Sequence, residues 1–219
     1  VHDADRQLVY VSAETSNSLT ALNVSDPSSP EFVGRIDDMV TEYISSPKTV
    51  VYDASNEWVF MACATSQTVV VLDVRNPSDI KYRGKYGGLG SAVYGLVYDE
   101  VLGNLFVTSS YYIRTLSLSS SYSLVYSSEN PTMSPVPTVS QVPTQETATI
   151  TLGGTSSYEN TYLYEAYSIV MDKPRSWLFT VNSISYLTKW DMSNPNSLSL
   201  LGSLQSTTYW SSAQGLSLI

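Results

Sequence analysis

The chain repeats itself, and a repeat of this length restricts how it can fold. Three stretches of the 219-residue sequence share one pattern: "VHDADRQLVYVSAETSNSLTALNVSDPSSPEFVGRI" from Val1 to Ile36, "VYDASNEWVFMACATSQTVVVLDVRNPSDIKYRGKY" from Val51 to Tyr86, and "VMDKPRSWLFTVNSISYLTKWDMSNPNSLSLLGSL" from Val170 to Leu204. A weaker copy, "VYDEVLGNLFVTSSYYIRTLSLSSSYSLVYSSE", runs from Val97 to Glu129. An aspartate opens each copy: Asp3, Asp53, Asp99 and Asp172. Leu22, Leu72, Leu116 and Trp190 follow 19, 19, 17 and 18 residues later. A glycine stands 12 residues further on, at Gly34, Gly84 and Gly202; the weak copy has Ser128 there. One such unit cannot bury an apolar face alone, so neighbouring units must stack.

Each copy reads as four strands. Short runs rich in β-branched and aromatic residues alternate with turn clusters, and no segment shows a helical period. Strands are expected near 8–12, 19–24, 49–53, 58–63, 69–74, 94–98, 105–109, 176–181 and 186–191. Between third and fourth strands lie "SDPSSP", "RNPSDI" and "SNPNSL", where Pro and Asx residues fix a turn. Four-stranded units recurring about every 45–50 residues are the mark of β-propeller blades. The expected fold is all-β. A single domain over 1–219 would hold about four four-stranded blades, either closed by the C-terminal strand or part of a larger propeller.

"LNVSDPSSPEFVGRI" and "LDVRNPSDIKYRGKY" resemble the LVIVD-type propeller repeat, whose pattern is roughly a V-I-D-V-S-N-P run followed by a V-G strand. The resemblance covers three copies well and the fourth loosely. It implies a propeller and a surface or secreted setting, and it names no activity.

The chain is cut inside a repeat. "QGLSLI" at the C-terminus matches the start of the first strand "YGLVYD", and "VHD" at the N-terminus matches its end. The first residue is not Met, so a processed or trimmed chain is expected. Three readings follow: the C-terminal strand closes the ring in cis, it pairs with a neighbouring molecule, or further blades lie beyond both ends. Gly215, Leu216, Ser217, Leu218 and Ile219 are the residues of that strand. Its backbone groups need partners, and Leu216 and Leu218 need cover.

Residues 130–166 interrupt the repeats. The segment "PTMSPVPTVSQVPTQ" holds four prolines among Thr, Ser and Val, a composition that favours extended polyproline II. About 15 such residues span on the order of 45 Å. Beyond it, "ETATITLGG" alternates strictly, so Thr147, Ala148, Thr149, Ile150, Thr151 and Leu152 read as a spare strand with Ala148, Ile150 and Leu152 on one side. An insertion this long reads either as a surface loop or as an arm that delivers a strand to another molecule's edge. Thr132, Ser134, Thr138 and Thr144 lie in the Pro-rich stretch as candidate O-glycan acceptors, and "NVS" at Asn23 is an N-glycan sequon.

Composition excludes several functions. Net charge is −9 and the 11 Lys and Arg are scattered, which argues against nucleic acid and against an anionic membrane surface. No apolar run approaches the roughly 20 residues of a membrane helix. Only 14% of residues are charged, yet 37 are Ser and 20 Thr, a surface suited to the cell exterior. His2 is the one histidine and Cys63 the one cysteine, so no internal disulfide, Ser-His-Asp set, Cys/His metal cluster or cofactor is expected. Carboxylates remain the plausible catalysts. A catalytic site is asymmetric, however, whereas Asp3, Asp53, Asp99 and Asp172 recur once per unit, which fits acceptors for turn amides better.

Two functions from different classes stand open. The favoured one is a non-enzymatic extracellular structural protein, a propeller protomer of a surface appendage, fibre or layer that assembles with other copies of itself by strand exchange. The other is a carbohydrate-active or ligand-binding propeller with a carboxylate-lined site on its axis.

Overall fold

The computed structural model describes residues 1–87, 89–110, 112–119, 149–152, 163–195, 197–206, 213 and 215–217. These form four antiparallel four-stranded sheets, each a blade with its strands in chain order. Blade 1 is β1 (His2–Asp3), β2 (Leu8–Ala13), β3 (Ser18–Asn23) and β4 (Glu31–Asp37). Blade 2 is β5 (Pro47–Asp53), β6 (Trp58–Cys63), β7 (Thr68–Asp73) and β8 (Lys81–Tyr86). Blade 3 is β9 (Val93–Asp99), β10 (Asn104–Ser109), β11 (Tyr112–Ser119) and β12 (Thr149–Leu152). Blade 4 is β13 (Ala166–Asp172), β14 (Trp177–Asn182), β15 (Tyr186–Asp191) and β16 (Ser199–Gln205). Every strand expected from sequence falls within two residues of an observed one. The described residues are all-β and build four propeller blades.

One strand arrives from an unexpected place. Thr149–Leu152 pairs antiparallel with β11, Leu152 opposite Leu116 and Thr149 opposite Ser119. These residues complete blade 3 within their own chain, so the strand is not spare. The drifted fourth repeat explains why: it lacks the glycine strand after its third strand, and the far side of the insertion supplies a substitute with the right alternation. Thr147 and Ala148 lie outside the described residues, as do Thr132, Ser134, Thr138, Thr144, Leu218 and Ile219.

Alternation along the strands assigns each side chain to one of two neighbours. Leu8, Tyr10, Leu19, Ala21 and Ile36 of blade 1 pack against Val59, Met61, Cys63, Val70 and Leu72 of blade 2. The intervening Phe60, Ala62, Val69 and Val71 face the other way, onto Leu96, Leu105, Val107 and Leu116 of blade 3. Phe106 and Ile113 then meet Leu178, Trp190, Met192 and Leu198 of blade 4. Each fully buried Phe contributes roughly 2–3 kcal/mol. Strands β6, β7 and β10 are buried at nearly every position because both faces are covered. Cys63 is fully buried, and desolvation pushes its thiol to about 12.

The turn after each first strand uses one geometry throughout. Its fourth residue beyond the aspartate is left-handed in all four blades: Gln7 (φ 53°), Glu57 (54°), Gly103 (65°) and Ser176 (54°). Only blade 3 places a glycine there. A second glycine is small for a different reason: a Cβ on Gly34 would lie 2.2 Å from the carbonyl oxygen of Pro77 in blade 2.

The two glycines are therefore expected to fail differently. Gly103→Ala meets open space and should cost only the left-handed strain, about 1 kcal/mol. Gly34→Ala pushes blades 1 and 2 apart and should cost about 2–3 kcal/mol. Urea unfolding checks both; equal losses would be inconsistent with this packing.

Candidate functional site

The repeated aspartates hold turns. Asp53 Oδ1 accepts the amides of Ser55 (3.0 Å) and Asn56 (3.2 Å), and its Oδ2 accepts Asn56 Nδ2 at 2.7 Å. Asp99 Oδ1 accepts from Val101 (3.0 Å) and Leu102 (3.4 Å). Asp3 accepts the Arg6 amide at 3.2 Å and Arg6 Nε at 2.6 Å. Asp172 departs from this pattern. The residue two beyond it is Pro174, which has no amide hydrogen, and Asp172 instead accepts Arg175 Nη1 at 2.7 Å.

The tyrosines before Asp53 and Asp99 link blades. Tyr98 of blade 3 donates its hydroxyl to Asp53 Oδ2 of blade 2 at 3.0 Å. Arg6 of blade 1 donates to the Tyr52 hydroxyl (3.0 Å) and to the carbonyl of Val74 (3.0 Å), and pairs with Glu57 at 3.0 Å. Burial alone would raise the Asp3 carboxyl, but its bonds to Arg6 hold it below the usual range. These are adhesive roles. Each of the four carboxylates is engaged by its own turn, and none lines the two cavities described below.

A second set of Asx residues ends the third strands. Asn23 Oδ1 accepts Ser25 N at 2.8 Å, Asp73 accepts Arg75 N at 3.0 Å, and Asp191 accepts Ser193 N at 2.8 Å. Asn23, the sequon residue, thus has its oxygen committed to a turn. Asp73 is the most heavily paired. Burial would raise its carboxyl, but Arg75 and Arg83 hold it at about 2.

Two cavities lie along the inner strands, which run side by side as β5, β9 and β13. One, of about 450 Å³, is apolar: Val51, Val97 and Val170 from successive blades line it with Val1 and Leu216. Leu216 N donates to Ser168 Oγ at 3.1 Å, which rests Leu216 on blade 4 here, and residues 215–217 form no strand. The other, about 260 Å³, is polar and lined by Glu14, Lys48, Thr49, Tyr94 and Tyr167. Lys48, Tyr94 and Tyr167 occupy one repeat position, five residues before each aspartate. Glu14 pairs with Lys48, and the Tyr94 and Tyr167 rings meet edge-on at 5.0 Å. Desolvation, then the bond to Glu165, raises the Tyr167 hydroxyl to about 12. Asymmetry at a repeated position is where a ligand-specific site can be built. Aligning the copies at that position would have found these residues. Among the described residues no three His, Cys, Asp or Glu side chains gather as a metal site.

The LVIVD repeat model matches residues 8–38, which are β2, β3, β4 and the turn after them. The chain carries an LVIVD repeat. No curated protein matches the chain. Among solved structures, the chain superposes on a Bacteroides uniformis protein provisionally assigned as a 6-phosphogluconolactonase, with a TM-score of 0.60 and 12% identity over 95% of this chain and 56% of that one. It also superposes on a Lactobacillus plantarum protein, with a TM-score of 0.53 and 10% identity over 92% of this chain and 69% of that one. These likenesses are of fold alone. The chain spans just over half the length of the first structure.

Asp53→Ala strands two amides and a tyrosine hydroxyl and should cost about 2–3 kcal/mol. Asp53→Asn keeps an acceptor and should cost about 1 kcal/mol, while Asp172→Ala, which loses one surface pair, should cost less than about 1 kcal/mol. Denaturant midpoints rank the three. A loss for Asp172 as large as that for Asp53 would contradict the turn assignment.

Asp73 sets an acid limit. Its depressed pKa stabilises the fold fully above the ordinary carboxyl range near 4, and that stability is lost as pH falls towards about 2. Melting temperatures for Asp73→Asn should be lower at neutral pH and converge with the unaltered protein near pH 2; parallel curves would refute the linkage.

Proposed function

We propose that this propeller is a non-enzymatic extracellular structural protein that assembles with copies of itself as the protomer of a surface appendage, fibre or layer. One observation carries the reading: three apolar cores join four blades, and among the described residues no apolar cluster joins blade 4 back to blade 1. A propeller normally ends by covering its own edges. Of the residues available for that task, Leu216 donates its amide to Ser168 Oγ of blade 4, and 215–217 form no strand there. Exchange of this segment into the blade of another copy would give it a strand partner. The uncharged, hydroxyl-rich composition suits an exterior setting, and the aspartates that could serve as catalysts are spent on turns.

A ligand-binding reading draws on the polar cavity, where two tyrosines and a Lys–Glu pair offer ring faces and charge of the kind a sugar takes. The carboxylate that lines it is Glu14, which Lys48 already occupies.

Deleting 213–219 and imaging the native protein by negative stain separates the two. Loss of the assembly with the melting temperature kept supports strand exchange. An assembly that survives the deletion, or saccharide binding abolished by Tyr94→Ala in a protein that is always monomeric, would displace it.

A further inference from the structure

The polar cavity sits where the repeat stops being regular. Two residues before each opening aspartate the chain places a valine every time: Val1, Val51, Val97 and Val170. A structural demand at a repeated position calls for one kind of side chain in every copy. Five residues before the aspartate that rule fails, and Lys48, Tyr94 and Tyr167 stand at equivalent places. All three line one cavity of about 260 Å³, together with Glu14 and Thr49. The cavity is smaller than the roughly 300–1,000 Å³ of a site for a drug-sized molecule, so it suits a ligand of a single ring.

Its walls are held in place by the fold. The Tyr94 and Tyr167 ring planes meet at 79°, so they make a corner rather than a stack. Thr49 donates its hydroxyl to the Tyr94 carbonyl at 2.7 Å, which fixes β9 against β5. Glu165 donates its amide to the Ser110 carbonyl at 2.7 Å and accepts the Ser183 amide at 3.3 Å. In that grip Glu165 is left-handed, with φ 48°. A residue other than glycine keeps that conformation only where its surroundings impose it. Glu165 Oε2 accepts the Tyr167 hydroxyl at 3.0 Å. Glu14 Oε1 accepts Ser46 Oγ at 2.9 Å and also pairs with Lys48. Among the described hydrogen bonds each carboxylate uses one oxygen, which leaves Glu14 Oε2 and Glu165 Oε1 as acceptors.

We propose that this corner binds one neutral pyranose ring and excludes acidic sugars. The C–H hydrogens on the flat side of a pyranose are slightly positive and meet the negative face of an aromatic ring. Two aromatic planes near a right angle cover one side and one edge of the sugar together. The sugar hydroxyls donate to Glu14 Oε2 and Glu165 Oε1, and they accept from the ammonium hydrogens of Lys48 that Glu14 does not take. Charge decides the class of sugar. Glu14, Glu165 and Lys48 leave the corner with one net negative charge, and its one cation is already paired. A sugar carboxylate brought there meets repulsion without a cation of its own. The assignment rests on the ligand-binding reading of this cavity and deepens it, and it is independent of strand exchange.

Calorimetry and saturation-transfer NMR on the 219-residue chain test this. The probes are the methyl glycosides of glucose, galactose, mannose and glucuronic acid. At least one neutral glycoside should bind with a Kd on the order of millimolar, the range for a ligand of so few atoms. The glucuronide should bind at least tenfold more weakly. Tyr94→Ala should abolish binding and leave the native assembly seen by negative stain unchanged. Tyr94→Phe keeps the ring, so it should keep the binding. The decisive variant combines Glu14→Gln with Glu165→Gln. Each amide oxygen still accepts a hydroxyl, but the corner passes from one net negative charge to one net positive charge. The neutral glycoside should then be retained and the glucuronide should gain at least tenfold. A loss of packing would weaken both sugars alike; only charge selection changes their ratio. Val101→Lys, an 81% exposed position in the turn beyond the far end of β9, should change neither. A glucuronide that binds the unaltered chain as tightly as the neutral sugars, or a ratio unmoved by the double substitution, would overturn the charge assignment and leave the cavity a sugar site. Failure of every probe to bind, or undiminished binding by Tyr94→Ala, would refute the sugar site itself and leave the assembly reading standing.

Discussion

Everything in this molecule depends on one constraint: a four-stranded sheet has two faces, and both must lose their water. A helix can hide a single stripe, but the blade's pleat sends alternate residues to opposite sides. Blade 2 meets the constraint fully, with Val59, Met61 and Cys63 towards one neighbour and Phe60 and Ala62 towards the other. The turns, the aspartates and the tyrosines between blades are secondary to it. They fix the angle at which each sheet presents its faces.

The polar links follow from the same stacking. At the rim of each interface the apolar cover ends, and backbone carbonyls and carboxylates meet partial desolvation. Arg6 bridges a carboxylate, a tyrosine hydroxyl and a carbonyl of the next blade in one such place. Tyr98 and Asp53 do the equivalent work at the next interface without an arginine. The sequence varies these rim devices from blade to blade while the core positions stay apolar: area burial accepts apolar side chains of similar volume, whereas each rim bond needs its own matched pair of partners.

Much of the fold was legible because repetition multiplies weak signals. One run such as "WVFMACA" is ambiguous between strand and buried helix, but the same run at the same offset from an aspartate in several copies is not. The role of Asp53 was legible for the same reason. What escaped was whatever the repeat does not encode. Thr149–Leu152 looked unpaired because its partner β11 lies 30 residues upstream, and pairing at that separation has no local signature. The polar cavity escaped because Lys48, Tyr94 and Tyr167 differ in kind, so a search for sameness passes over them. Asp172 escaped in detail because a single proline removed the amide it was expected to bind.

The borrowed strand of blade 3 has a consequence for how the chain comes to its native state. Hairpins β9–β10 and β10–β11 can form as soon as they are made, but β12 must wait for the intervening residues between Ser119 and Thr149. Closing so long a loop costs roughly 2 kcal/mol more entropy than closing a tight turn. On a ribosome the third blade therefore exists for some time as three strands with the outer edge of β11 bare. That edge is a template for any extended segment nearby, so the nascent chain faces its greatest hazard of mispairing midway through synthesis, and the speed at which residues 149–152 emerge becomes a determinant of yield.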